Sequence, residues 1–272
     1  TDHVSFEITV QKKIISFYVA VPASMTHYIT EQINAQFPDA QIEETDGYNL
    51  FLRKGTVMAA HLKLIKPNAY PIKTYKKAET DPLSAITNPL SQIEEGDAAV
   101  IQLTVRSAHK KWRGAGVAMA KQATRGGGFD KKSGLAGLGS EFAKAALGGG
   151  GSQQQQGMPQ QPKQLTQMEQ ELVRGIEEKA SKAGMDVNIR IVVSASDELK
   201  SKRYLDNIAN AFSQYNLYQY GNAFAAEIPS KQKNIIRDFI YRSFNERRSF
   251  VLNTEEMASI FHFPLSITET PG

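Results

Sequence analysis

Apolar and polar positions along the chain follow two periods, and each switch between them marks an element. "SFEITV" and "IISFYVAV" flank a short turn at Lys12-Lys13, and in the second Ile15, Phe17, Val19 and Val21 alternate as in a half-buried strand. "SMTHYITEQINAQF" then takes helical spacing, with Met25, Tyr28, Ile29, Ile33 and Phe37 on one face and Pro38 as the stop. "YNLFL", "VMAAHLKLI" and "AAVIQLTV" predict strands, with a helix over "DPLSAITNPLSQI" between the last two. Pro82 suits that helix's first turn, where a missing N–H deprives no carbonyl.

The same grammar returns after residue 164. "TQMEQELVRGIEEKASKAG" predicts a helix ended by Gly184, and "MDVNIRIVVSA" a strand alternating at Val187, Ile189, Ile191 and Val193. "SDELKSKRYLDNIANAFSQY" follows as a helix with Leu205, Ile208, Ala209 and Phe212 inward; "NAFAAEI" is a strand, and Pro229-Ser230 opens a helix over "KQKNIIRDFIYRSF". In "FVLNTEEMASIFHFP", Phe250 to Leu252 end a strand. Asn253 and Glu256 have the spacing of a capping box, Leu252 and Met257 that of a hydrophobic staple, and Pro264 is the stop. Tyr28-Ile29 with Ile33 and Phe37 resembles Tyr204-Leu205 with Ile208 and Phe212, as in an internal duplication. The expected class is α+β: two ferredoxin-like, βαβ-containing sandwich units joined by a long low-complexity linker.

Composition places that linker. Residues 125–164 are rich in Gly, Gln and Pro, too poor in apolar area to offset the entropy of ordering. Within them "LAGLGSEFAKAAL" could form a short amphipathic helix, weakened by about 1 kcal/mol per glycine. The expected divisions are 1–106, a first α+β domain; 107–124, a basic helical segment; 125–164, the linker; 165–264, a second α+β domain; and 265–272, a lead-in to a further domain. The chain begins with Thr1, as after Met removal or excision from a longer protein. Cysteine is absent, so disulfides and thiolate chemistry are excluded. There is no signal-peptide pattern at the front and no run of about 18 apolar residues.

Charge is local. Between Arg106 and Lys132 stand eight Lys and Arg against Asp130 alone, a net of +7, which leaves −3 for the rest of a chain whose total is +4. Arg106, Lys110, Lys111, Trp112, Arg113, Lys121 and Arg125 form the candidate contact set. Three readings fit them: nucleic-acid phosphates with Trp112 stacked on a base, an anionic membrane surface with Trp112 at headgroup depth, or a solvated basic tether. Catalytic patterns fail individually. "GGGFDKKSG" lacks the second glycine of a phosphate-binding loop, and "RGAGVAMA" is too short for a dinucleotide fingerprint. The five histidines have no metal-ligand spacing, and His262 reads as a helix-end residue. Adjacent acids such as Glu43-Glu44 and Glu255-Glu256 point in diverging directions, so they read as solvated edges or caps. No catalytic, cofactor or metal residue is assigned.

"ISFYVAVPASMTHYITEQINAQFPDAQI", "DPLSAITNPLSQIEEGDAAVIQLTV" and "FVLNTEEMASIFHFP" with the closing "TPG" resemble the N-terminal region of bacterial type IV secretion and conjugation ATPases. In that family such a region precedes a RecA-like motor related to DNA translocases. The resemblance implies a non-catalytic assembly or docking domain in a membrane-associated secretion or DNA-transfer complex, at the cytoplasmic inner face of the membrane. Protein partners, and self-association into a homo-oligomer, would follow from that role. ATP and Mg would belong to a downstream domain, and no cofactor to this stretch. The alternative is a nucleic-acid-binding module using the basic segment 106–132.

Overall fold

Seven strands, every pair antiparallel, form one sheet in the computed structural model, which describes residues 2–51, 55–124 and 165–264. The strands are β1 (Val4–Gln11), β2 (Ile14–Ala20), β3 (Thr56–Leu64), β4 (Ala98–Ser107), β5 (Gly184–Ala195), β6 (Phe224–Glu227) and β7 (Phe250–Asn253). Their order is β2-β1-β4-β5-β3-β6, and β7 pairs with the beginning of β5 along the edge that β3 occupies further on. The seven helices among the described residues are α1 (Thr26–Gln36), α2 (Pro82–Ser91), α3 (Lys111–Thr124), α4 (Gln167–Ser181), α5 (Glu198–Ala211), α6 (Gln232–Ile240) and α7 (Thr254–Ile260).

The mixed helix and strand content agrees with the α+β reading; the expected pair of separate sheets does not. β5, from the second half of the sequence, lies between β4 and β3 from the first, so the halves share a hydrogen-bonded core. The cause is β5 itself: twelve residues with alternating apolar positions need a ladder on both sides, and the first half supplies two long partners. The linker at 125–164 and the lead-in at 265–272 lie outside the described residues.

One face of the sheet is apolar. Ile8, Ile101, Ile191 and Leu62 stand there in a cluster closed by α2, α5 and α7, with Leu205, Ile208 and Phe212 facing inward as their spacing predicts. Local chemistry fixes the covering helices. Asp81 caps α2 through Leu83 N–H with Pro82 at the first position, and Asn253 and Glu256 complete the capping box of α7. The β1–β2 hairpin turns through Lys12 and Lys13, both in the left-handed region at φ 50° and 63°, the backbone of a tight two-residue loop. "YNLFL" does not form a strand: 48–51 run irregularly over the second face, where Leu50 is buried beside Ala59 and Phe239. α6 covers the same face. α3 and α4 pack between β4 and β5 as an antiparallel helical pair, in which Gly116 faces Ile176 and Ala180.

Candidate functional site

Among the described residues, a cleft of about 1370 Å³ stands open along the outer edge of β2. Its walls are residues 16–21, from β2 and just past its end, one face of α1, and residues 38–47. α1 carries the apolar side predicted for it, yet no residue in it is buried, and Tyr28 is 57% exposed. Ile29 and Ile33 line the cleft instead of a core. Phe37 meets Phe263 edge-on at 5.4 Å, and Phe263 lies 6.1 Å from Phe17, so aromatic rings close one side. Residues 38–47 carry the chain past the β2 edge to the opposite face, where the Tyr48 ring lies 4.8 Å from that of Tyr18 and tilted by 40°. That stretch holds Asp39, Glu43, Glu44 and Asp46 and no Lys or Arg. The cation lining the cleft, Arg242, is spent on Glu7 through contacts of 2.8 and 3.1 Å. The cleft is thus apolar within and acidic at its rim.

Behind it, the second face of the sheet carries a row of polar side chains in register across six strands: Tyr18, Glu7, Gln102, Arg190, His61 and Glu227. Glu7, fully buried, accepts from Ser5 Oγ, Tyr48 OH and Gln102 Nε2 at 2.8–2.9 Å as well as from Arg242. Arg190, also fully buried, donates to Gln102 Oε1 at 2.8 Å and to the Ser243 carbonyl. Asn188 accepts from Asn245 N at 2.6 Å and returns a bond to Asn245 O. These bonds fasten the 242–245 turn, with Arg242 at φ 51°, over the sheet. Burial pushes the Arg190 guanidinium down to about 10. Burial, and then the positive charge of Arg190 and Arg248, pushes His61 down to about 4, leaving it neutral near pH 7. Tyr48 is pushed up by burial and then by Glu7, so its phenol stays a donor. At its centre Glu7, Gln102 and Arg190 form a continuous buried hydrogen-bonded network, while Arg190 Nε and His61 Nδ1 have no partner among the described residues.

A family model described as a domain of unknown function (DUF8128) matches residues 1–272. The chain belongs to that family. Neither a curated protein nor a solved structure matches it.

Within this DUF8128 domain, the candidate contact residues serve different ends. Arg106 binds Glu246 through both terminal nitrogens, lies 3.4 Å from Asp186, and stacks 4.1 Å above Phe244. Trp112 is packed over Gly184, where a Cβ would stand 2.4 Å from the indole. Arg113 donates to the Lys182 carbonyl just past the end of α4 at 2.7 Å. Lys110, Lys111 and Lys121 are exposed, and Arg125 lies outside the described residues. His262 bonds Asp81 at 2.9 Å and the adjacent Phe263 carbonyl, in keeping with a helix-end role. Among the described residues, no three His, Asp or Glu side chains gather as a metal site, and no helix is long and apolar enough to cross a membrane. The cleft residues escaped the sequence reading because an apolar helix face ordinarily reports a core. The available signal was the acidic run after Pro38 beside a strand with no charge.

Proposed function

We propose that this domain is a non-catalytic docking module that seats a protein partner in the cleft beside β2, within a membrane-associated type IV secretion or DNA-transfer ATPase assembly. The observation that carries the reading is α1. An eleven-residue helix with its apolar side turned into open space exposes area whose burial is worth about 25 cal/mol per Å². A partner covering that side would gain what the fold leaves unused. The resemblance to the front region of secretion ATPases supplies the setting, with nucleotide chemistry assigned to a motor domain elsewhere.

The test is photo-crosslinking in cells with benzoylphenylalanine at position 30, on the cleft side of α1, and at the exposed Leu199 on α5 as control. A discrete adduct with a secretion-apparatus protein at position 30, and none at 199, is expected. Absence of any adduct at 30, or equal adducts at both, would overturn docking through the cleft. A second reading uses the exposed Lys110, Lys111 and Lys121 as phosphate contacts. It requires single-stranded DNA binding that weakens steeply with salt and is lost in the Lys110→Glu/Lys111→Glu variant.

A further inference from the structure

We propose that the cleft is a strand-addition site, in which an extended segment of a partner protein, with alternating apolar side chains flanked by Lys or Arg, pairs with the open edge of β2. This rests on the docking reading and specifies what docks and how.

Comparison of the sheet's edges carries the argument. Exposed edges offer unpaired N–H and C=O groups, and proteins blunt them with charge, proline, brevity or cover. β6 is four residues long, and its Glu227 is tied to Lys63 at 2.8 Å and to Arg248. β7 is equally short and buried, and Val251 N–H donates to Asn68 at 3.1 Å. β2 uses none of these devices: "IISFYVA" is seven residues with no charge, proline or glycine, and its outer side faces the cleft. Such a strand, kept free of gatekeepers and bordered by a wall set back from it, is built to be paired.

Dimensions and chemistry select the occupant. The cleft runs along residues 16–21, the end of β2 and Val21 beyond it, room for roughly six residues of a strand at ~3.3 Å each. Side chains on one side of that strand would meet Phe17, Val19, Ile33 and Phe263, an apolar wall. At the rim they would pass Asp39, Glu43, Glu44 and Asp46, which form no ion pair among the described residues. Cationic flanks complement that field, whereas a phosphate backbone or an anionic bilayer is repelled by it. A second copy paired edge to edge through β2 would bring two acidic rims together, a like-charge arrangement that disfavours it.

The experiment uses the full 272-residue chain and a synthetic peptide, Lys-Lys-Val-Thr-Val-Thr-Val-Thr-Lys-Lys, followed by fluorescence anisotropy and by amide hydrogen exchange of β2. Saturable binding with slowed exchange in β2 is expected. At least a tenfold loss is expected when the four lysines become glutamates, and at least fivefold in the Glu43→Lys/Glu44→Lys variant. N-methylation at alternate peptide amides, which leaves the side chains but removes the ladder donors, should abolish binding. Equal affinity for the N-methylated or glutamate peptide, or no binding of the parent peptide, would overturn the inference. So would concentration-dependent self-association that protects β2 without peptide, which would assign the cleft to a second copy. Position-30 crosslinks that persist when the peptide fails would retain docking and reject the strand. Loss of both would reject docking itself.

Discussion

Replacing Lys179 with methionine should destabilise the domain by about 3–5 kcal/mol, the cost of stripping one partner from a buried ion pair. Lys179 and Glu256 are each 1% exposed, with Nζ and Oε2 3.0 Å apart. The lysine also donates to the Tyr70 carbonyl at 3.2 Å, and the Glu256 carboxylate accepts from Ile72 N and Asn253 N at 2.9 and 3.0 Å. Methionine fills most of the stem's volume, so the lost charge dominates over any cavity. An effective dielectric of about 20 at this separation gives a pair attraction on the order of 5 kcal/mol, consistent with that range. Against the roughly 5–15 kcal/mol that stabilises an ordinary domain, this is a large fraction. Urea unfolding followed by circular dichroism would measure it. The Lys179→Met/Glu256→Gln double variant should be more stable than the two single losses predict, by about 2 kcal/mol of coupling. A single variant within 1 kcal/mol of wild type, or a coupling near zero, would refute the claim that this pair locks α4 to α7.

Other outcomes follow from the same packing. Because the folded His61 binds its proton only near pH 4, against 6.5 ordinarily, the unfolded chain takes up a proton first as pH falls between these values. The contribution present above pH 6.5 is therefore lost by roughly 3 kcal/mol across that window, and a His61→Gln variant should lack this component in urea titrations at stepped pH. Gly184→Ala should cost about 1–3 kcal/mol by overpacking. Its Cβ displaces the lone Trp112, so a shifted tryptophan emission should accompany the loss; unchanged emission would contradict the packing. Arg106→Ala should lower the thermal midpoint by freeing Glu246 and Phe244, while Lys110→Ala leaves it unchanged in differential scanning fluorimetry.

Periodicity made most elements legible because their local and tertiary demands agree. β5 alternates so strictly that Val187, Ile189, Ile191 and Val193 all face one core, and the capping box at Asn253–Glu256 needs only residues three apart. α1 shows the limit. Its spacing is as helical as that of α5, but amphipathicity gives a direction for burial and no guarantee of a neighbour; α5 meets the sheet, and α1 faces the cleft. "YNLFL" reads as a strand too, yet residues 48–51 pack irregularly over the second face through Tyr48, Leu50 and Phe51. Arg106 looked like part of a basic patch because Glu246, 140 residues away, is invisible to any local window.

What the sequence by itself determined is therefore most of the elements, their caps and the side of each strand that is apolar, all set by contacts a few residues apart. Only the tertiary structure decided which strands become neighbours. Glu7, Gln102, Arg190 and His61 each appear as a polar residue between two apolar neighbours; register across four strands makes them one buried row. The same long-range pairing merged two expected sheets into one and left β2 at its open edge, because a strand's partner is chosen by ladder complementarity across the whole chain and never by its own residues alone.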